Sequence, residues 1–168
     1  MCVVEVHELS ESDLDALQAL IERCSDLFLL TEDRRPDPDE ARALWDSVPF
    51  GTPREGKHVL GVFDPELVGV AEIVRDWPRT RTWNIGLLMF DPAMRRRGAG
   101  TVAMRVIDRW AGASGADRLR ISVMPANTTA LAFWYAIGFA EVPAVSGFAT
   151  RAEHEVAIAL ERAVGPST

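Results

Sequence analysis

The sequence predicts an α/β (α+β) fold, in which a mixed, mostly antiparallel sheet of six to seven strands is flanked by about four helices. Three observations lead to this prediction. Segments whose apolar residues alternate, as in half-buried strands, are interspersed with segments whose apolar residues recur at helical spacing. Proline, glycine and charged stretches separate them and give the order βααβββαβαββ. The 168 residues, 48% of them hydrophobic, suffice for the core of one domain, and there is no internal repeat.

A strand opens the chain and a long helix follows. Val4 and Val6 alternate with polar residues, which is the period-two pattern of a half-buried strand. Residues 10–28 have helical spacing, and Ser10 with Asp13 forms a capping box at the start. The apolar face of this helix consists of Leu14, Leu17, Ile21, Cys24 and Phe28. We expect that face to pack on the sheet.

A charged, proline-containing loop at 31–39 leads to a second helix at 39–48, which ends before Pro49. The loop is either a mobile lid or a solvated connector. The chain then becomes mostly β. The predicted elements up to residue 124 are a hairpin of strands 57–63 and 68–75 around a turn at 64–67, a strand at 82–90, a helix to about Ser114 and a strand at 118–124.

The C-terminal part contributes one more helix and two strands. Residues 127–137 form the helix, which Asn127 caps and Gly138 ends. The strands are predicted at 138–142 and 153–160, and the second has its alternating apolar residues at Val156, Ile158 and Leu160. One domain therefore spans residues 1–162, and residues 163–168 are expected to be a disordered tail.

The charge balance excludes some partners. The formal net charge is −7 and the pI is near 5.0, whereas nucleic-acid-binding domains normally carry a basic face. We therefore expect no nucleic acid, and an acidic surface favours a cationic or amine-bearing partner. No stretch approaches the roughly 20 apolar residues of a membrane span, and the N-terminus has no export signal pattern. The sequence predicts a cytoplasmic protein that does not interact with a membrane.

Cysteine and histidine usage argues against metal and covalent chemistry. Cys2 and Cys24 are too few for a disulfide framework and are expected to be buried apolar residues. His7, His58 and His154 are dispersed without metal-ligand spacing, so no metal site is predicted. No Ser-His-Asp or Cys-His arrangement can be placed either.

Residues 94–100, M-R-R-R-G-A-G, place three arginines directly before a predicted helix. The first turn of a helix has free N–H groups and a partial positive charge, and glycines allow an anion to approach them closely. The pattern predicts a phosphate-binding turn, although an exposed basic helix start is an equal alternative for this segment alone. It matches neither the dinucleotide-binding fingerprint nor the P-loop.

A second segment decides between these alternatives. Residues 127–139, N-T-T-A-L-A-F-W-Y-A-I-G-F, together with R-R-R-G-A-G at 95–100, resemble the GNAT superfamily of acyl-CoA-dependent N-acetyltransferases. In that family an R/Q-x-x-G-x-G/A segment holds the CoA pyrophosphate, and an N-x-x-A-x-x-F-Y-x-x-x-G-F segment follows. The matching positions of the second segment are Asn127, Ala130, Phe133, Gly138 and Phe139. The resemblance extends over nearly the whole chain.

The resemblance implies acetyl-CoA as co-substrate and assigns residues to it. The residues implied for the pyrophosphate, through side chains or backbone amides, are Arg95, Arg96, Arg97, Gly98, Ala99, Gly100 and Thr101. The main chain of Leu88, Met89 and Phe90 would pair with the pantetheine arm, whose two amides imitate a neighbouring strand. Asn127 either faces that arm or is a simple N-cap.

The sequence departs from the family at its catalytic positions. Trp134 stands where many members carry a tyrosine that protonates the CoA thiolate, and Tyr135 is rotated about 100° away along the helix. Asn84 replaces a common glutamate and could hold a water, but it cannot be a base. Glu72 is the first candidate base, because it shares a face with valines, and Asp76 is the second. The alternative for Glu72 is a surface carboxylate at a strand edge.

Further assignments concern the oxyanion and the acceptor. The Met89 N–H is the predicted oxyanion donor, by resemblance to the family. Trp45, Trp77 and Trp83 either line an acceptor pocket or pack in the core.

Two functions from different classes remain open. The first is an enzyme that acetylates a primary amine, preferably of a small cationic molecule, by direct attack in a ternary complex; a protein N-terminus or lysine is an alternative acceptor. The second is a weak or inactive acyl-CoA-binding sensor or assembly module, because the usual tyrosine and glutamate are missing. A homodimer is possible, since dimers are common in the family.

Overall fold

The computed structural model describes residues 3–144 and 156–165. The strands in these ranges are β1 (Glu5–Glu8), β2 (Lys57–Asp64), β3 (Glu66–Val74), β4 (Thr82–Phe90), β5 (Arg118–Val123), β6 (Ala140–Glu141) and β7 (Ile158–Ala163). The α-helices are α1 (Leu14–Arg23), α2 (Ser25–Glu32), α3 (Glu40–Asp46), α4 (Ala99–Ala113) and α5 (Thr128–Ala136).

The seven strands form one sheet in the order β1-β2-β3-β4-β5-β7-β6. Every neighbouring pair is antiparallel except β4 and β5, which are parallel because α4 crosses over between them. The prediction of a mixed, mostly antiparallel sheet with flanking helices is confirmed.

Helices cover both faces of the sheet. On one, the α1 face, Leu17 and Ile21 of α1 pack with Val70 and Met89 of the sheet. On the other, the α4 face, Ile107 of α4 packs with residues of four strands, namely Ile73, Ile85, Leu119, Ile121 and Leu160. Successive strand residues point to opposite faces, so each central strand contributes to both cores.

The predicted helix at 10–28 is wrong in one respect, because it is broken at Cys24 into α1 and α2. Cys24 is fully buried and its Sγ donates a hydrogen bond to the Phe90 carbonyl (3.3 Å). The apolar stripe continues across the break, so the periodicity did not reveal it. The predicted capping box is present at Asp13, whose carboxylate accepts from the Ser10 N–H (2.8 Å).

The C-terminal strand lies further along the chain than predicted. It runs over Ile158–Ala163, whereas Val156 is outside it and 77% exposed. Val164 N–H still bonds to the Asp117 carbonyl (2.9 Å), so ordered structure continues past the predicted boundary at 162. Cys2, residues 153–155 with His154, and residues 166–168 of the predicted tail lie outside the described residues.

Two β-bulges change the facing of residues near the site. The β2–β3 register skips Val68, which packs with Met94 and Ala103 near α4. Alternation along β3 predicts Val68 on the same face as Glu72, and for this valine the prediction is wrong. The β3–β4 register skips Gly86, which lies opposite the Glu72–Ile73 step. In the described part of the chain, no helix is both long and apolar enough to cross a membrane.

Candidate active site

A cleft lies where β4 and β5 separate. Their parallel ladder joins Thr82–Ile85 to Arg118–Ile121, and β4 then continues to Phe90 with no strand of the described ranges paired on that side. The cleft has a volume of about 490 Å³. Its walls come from α2, from β4, from the start of α4 and from α5. Splaying of the strands thus produces an opening at the centre of the sheet.

The free edge of β4 directs particular backbone groups into this cleft. Asp91 N–H bonds to the Val68 carbonyl on β3 (2.8 Å). Because antiparallel neighbours alternate in direction, Met89, opposite Val70, also bonds to β3, whereas Leu88 and Phe90 direct N–H and C=O groups away from it. The Met89 N–H, which the sequence analysis assigns as oxyanion donor, is therefore committed to the sheet, whereas the Leu88 N–H faces the cleft.

The start of α4 forms one end of the cleft. Gly98 precedes the helix with φ +86°, a left-handed conformation that side chains disfavour. The N–H groups of Ala99, Gly100 and Thr101 belong to the first turn and have no intrahelical acceptor. These three residues and Gly98 line the cleft. The geometry fits an anionic group at this point.

The three arginines differ in what they contact. Arg95 donates to both carboxylate oxygens of Asp26 (3.0 Å to Oδ1) and to the Phe90 carbonyl (2.9 Å). Arg96 lines the cleft, and Arg97 does not. Neither of the last two has a hydrogen bond or ion pair to any residue within 3–144 or 156–165.

Pairing separates Arg95 from the other two arginines. The Arg95 guanidinium joins α2 to the loop, and its hydrogen bonds hold the pKa of Asp26 below the ordinary value. The Arg97 side chain is exposed and does not line the cleft. Arg95 and Arg96 both line the cleft, and of these two only Arg96 has a guanidinium group with no partner among the described residues.

Gly100 serves packing as well as backbone access. A Cβ at this position would lie 3.2 Å from the Phe133 ring of α5 and 3.6 Å from Phe90. A side chain at this helical position would therefore have to displace the Phe133 ring by a few tenths of an ångström.

The α5 residues divide into two groups. The Asn127 Oδ1 caps α5 by accepting from Ala130 N–H (3.1 Å), which confirms the predicted N-cap, and the residue also lines the cleft. Trp134 is 3% exposed, packs edge-on against Phe133 and Phe139, and reaches the cleft wall. Tyr135 points elsewhere: its hydroxyl donates to Glu141 (2.6 Å), which raises its pKa.

Glu72 lies in the interior of the sheet, so the strand-edge surface alternative is wrong. Its carboxylate is beside the bulge, 3.0 Å from where a Cβ would stand on Gly86, and 3.4 Å from Lys57 Nζ. Burial raises the pKa of Glu72, and the Lys57 ammonium opposes the rise. The side chain keeps 16% exposure, which leaves a path to solvent.

Lys57 is a residue that the sequence analysis missed. Its side chain is fully buried, and Nζ donates to the carbonyls of Leu44 and Ser47 at the end of α3. Burial lowers the pKa of Lys57, and Glu72 opposes this effect. A lysine at the first position of a strand gives no sign of such a role, because its partners are 10 to 15 residues away in the chain. Asp26 was missed for the same reason.

Glu72, Asn84 and Asp76 are not among the residues that line the cleft. Asn84 is on the α1 face, and its Oδ1 is buried with no hydrogen-bond partner among the described residues. Asp76 is exposed in the β3–β4 turn and accepts from Arg81 N–H (2.7 Å), which assigns it a turn-stabilising role.

Among the tryptophans, Trp83 is a core residue, 1% exposed and packed against Trp110. Trp45 packs beneath the Arg54 guanidinium, and Trp77 lines a separate cleft at the β3–β4 turn. In the described ranges no group of His, Cys, Asp or Glu is arranged to hold a metal ion.

Comparison with known proteins gives the same architecture. At residues 15–139 the chain matches the model of the acetyltransferase (GNAT) family. No curated protein sequence matches it. An acetyltransferase from Thermus thermophilus superposes with a TM-score of 0.77 at 19% identity, over 96% of this chain and 97% of that one.

Two other similar structures carry functional names. The ribosomal-protein-S18-alanine N-acetyltransferase from Escherichia coli has a TM-score of 0.70 at 15% identity, over 99% of this chain and 97% of that one. The PaiA N-acetyltransferase from Thermoplasma acidophilum, in complex with coenzyme A, also has a TM-score of 0.70, at 16% identity, over 96% and 99% of the two chains.

The family match covers most of the chain, and it includes both the turn at the start of α4 and the α5 segment that border the cleft. With its splayed central strands and its helix N-terminus at the cleft, this chain belongs to the GNAT family of acyl-CoA N-acyltransferases.

Proposed function

We propose that this protein transfers the acetyl group of acetyl-CoA to the primary amine of a small molecule, by direct attack in a ternary complex. The observation that carries the proposal is the cleft itself. It joins a helix start with three free N–H groups to a strand edge where, among the described residues, the Leu88 N–H and C=O and the Phe90 N–H have no strand partner. The Phe90 carbonyl is already used, because it accepts from Arg95 and Cys24. The first feature suits a pyrophosphate and the second suits the amides of pantetheine.

The residues divide between two tasks. Coenzyme A would be held by Arg96 and the N–H groups of Ala99–Thr101 at one end, and by Leu88 and Phe90 along the strand. Asn127 keeps its amide N–H₂ available for the same ligand, since only its Oδ1 is used in capping. The Leu88 N–H would polarise the thioester carbonyl.

Proton transfer makes the stronger demand on the site. An alkylamine with a pKa near 10.4 must lose a proton before attack, at a cost of about 4.6 kcal/mol at pH 7. Glu72, with a raised pKa and partial exposure, is our candidate base, directly or through a water at Asn84. A thiol with a pKa near 8.5 leaves as thiolate at a cost of only about 2 kcal/mol, so Trp134 need not be an acid.

The test is a pair of adjacent arginine variants. Arg96→Ala should weaken CoA binding about tenfold by calorimetry, because a charge-assisted hydrogen bond to the ligand is lost. Arg97→Ala is the matched control, exposed in the same loop but outside the cleft, and should change the Kd less than twofold. Equal effects, or no heat with saturating CoA, would reject the assigned site.

A thiol-release assay with a panel of amines tests turnover. Release of CoA with at least one amine supports the enzyme, whereas tight CoA binding without release favours the sensor module. We further propose that the protein works in the cytoplasm on a metabolite, and that it can form a homodimer, which size-exclusion chromatography with light scattering will decide.

A further inference from the structure

An arginine cluster lies on the α1 face, beyond the cleft. The Glu161 carboxylate accepts hydrogen bonds from Arg79 (2.7 Å), Arg118 (2.9 Å) and Arg120 (3.0 Å). Within residues 3–144 and 156–165, Glu161 is the only carboxylate paired with any of the three. Three cations thus share one anion, which leaves two positive charges uncompensated in a chain whose net charge is −7.

The cluster also has unused hydrogen-bond donors. The Arg120 side chain is only 4% exposed, and its Nε–H is buried with no partner in the part of the chain that the structure describes. Arg79 and Arg118 are about half exposed and each uses one nitrogen on Glu161, so their remaining N–H groups face solvent. A buried, unpaired cationic donor is costly unless a ligand or water completes it. This arrangement suits an anion that arrives with a ligand.

The register places the cluster beside the proposed reaction centre. Asn84 on β4 is directly opposite Arg120 on β5, and Arg120 is directly opposite Glu161 on β7. Arg120 is one residue before the point at which β4 and β5 separate. Glu72 lies on the same face of β3, two strands away and two residues along from Val74, which is in line with Asn84 and Arg120. The two backbones are therefore about 12 Å apart. Between them stand Asn84 and the exposed Gly86, which has no side chain.

We infer that this cluster binds an acidic group, a carboxylate or phosphate, on the acceptor molecule. The inference rests on the proposed function and narrows its substrate class. The acceptor would be a zwitterion, such as an amino acid, whose amine reaches Glu72 while its acid group pairs with the arginines. Arginine forks match both kinds of oxyanion in two-point contacts. The net charge of −7 alone favours a cationic acceptor, whereas the three arginines next to the site would repel an acceptor that carries no acidic group.

The test compares amines that differ only in the acid group. We would measure kcat/KM for lysine against cadaverine, β-alanine against ethylamine, and phosphoethanolamine against ethanolamine. At least one acid-bearing member should be preferred tenfold or more. The amino acid pairs report a carboxylate and the last pair reports a phosphate. Ratios near one in all three pairs would overturn the inference.

Variants connect the preference to the cluster. In the double variant Arg79→Gln/Arg118→Gln, the ratio of kcat/KM for the acid-bearing amine to that for its partner should fall at least tenfold, because the KM for the acid-bearing amine rises. Both positions are half exposed, so the variant should still fold. Arg81→Gln is the control, because Arg81 is equally exposed nearby but pairs with Asp117. It should keep the wild-type ratio. A ratio that survives the double variant would also overturn the inference.

An equilibrium measurement separates this inference from the proposed function. Thermal shifts of the CoA-saturated protein report binding of lysine and of cadaverine without turnover. Selective stabilisation by lysine, absent from the double variant, supports the arginine site even if no amine is acetylated. Acetylation of amines without such selectivity supports the enzyme and rejects the site.

Discussion

Glu72 is the carboxylate of the proposed reaction centre whose pKa is set by two opposing influences, burial and a nearby ammonium group. It is largely buried, it lies against the Gly86 bulge, and its one charged neighbour within ion-pair distance, among the described residues, is Lys57. Burial favours the protonated acid, and the ammonium favours the carboxylate. A base for amine deprotonation requires the second state, so Lys57 should control the pH at which Glu72 becomes active.

Lys57→Met should move the acidic limb of the kcat/KM profile to higher pH. The reason is that the pKa of Glu72, already raised by burial, loses the charge that opposes the rise. Glu72→Gln should remove this limb and lower kcat about 10²-fold or more. Profiles measured with a single amine check both. An acidic limb that stays in place in Lys57→Met would show that Glu72 is not the titrating group.

At the scale of an element, the turn before α4 determines the cleft. Gly98 adopts a left-handed φ with open space around it, so its requirement is conformational. Gly100 has a helical conformation, and a Cβ there would press on the Phe133 ring at 3.2 Å, so any constraint on it is steric. Arg95 then ties the turn to α2 through Asp26. The same helix ends at a second left-handed glycine, Gly115 (φ +83°), far from the cleft along the helix axis.

The two glycines at either end of α4 form a matched pair. Gly98→Ala and Gly115→Ala should each lower the free energy of unfolding by about 1–2 kcal/mol, since both force a Cβ into a left-handed conformation. Only Gly98→Ala should also weaken CoA binding, because it distorts the anion-binding turn. Urea denaturation and calorimetry measure the two effects. Equal Kd values for the two variants would argue against the turn as a phosphate site.

At the scale of the whole molecule, Glu161 ties together parts of the chain that are distant in sequence. Arg79 comes from the β3–β4 turn, and the other arginines come from β5. Burial raises the pKa of Glu161, but its hydrogen bonds to the three arginines outweigh burial and hold the pKa below the ordinary value of 4.5. A carboxylate with a lowered pKa stabilises the fold above the ordinary value, and this stabilisation is lost as the pH falls through the folded value.

Glu161→Gln should lower the free energy of unfolding by about 3–5 kcal/mol at pH 7, because it leaves the buried Arg120 without its counter-charge. It should also weaken the loss of stability below pH 4.5 that we expect of the wild-type protein from the lowered pKa of Glu161. Denaturation curves from pH 3 to 7 would measure both. Asp117→Asn, which breaks an exposed pair with Arg81, is the control and should have little effect.

Much of the fold followed from local patterns. The alternation of Leu119, Ile121 and Val123, the helical spacing after Gly100 and the capping of α5 by Asn127 all depend on neighbours within one turn or one strand, and they occur as predicted. The break at Cys24 was not visible in the periodicity, and the contact that Cys24 makes there is with Phe90, 66 residues away in the chain.

The sequence by itself determined the family, the sheet and the helix start that faces the cleft, since short motifs and periodicities encode each of these. Only the tertiary structure decided which groups are free to act. It committed Met89 N–H to β3 and Arg95 to Asp26, left Leu88 and Arg96 available, and enclosed Glu72 with Lys57. The physical reason is that hydrogen-bond partners and burial are set by strand register and helix packing between residues far apart in the chain.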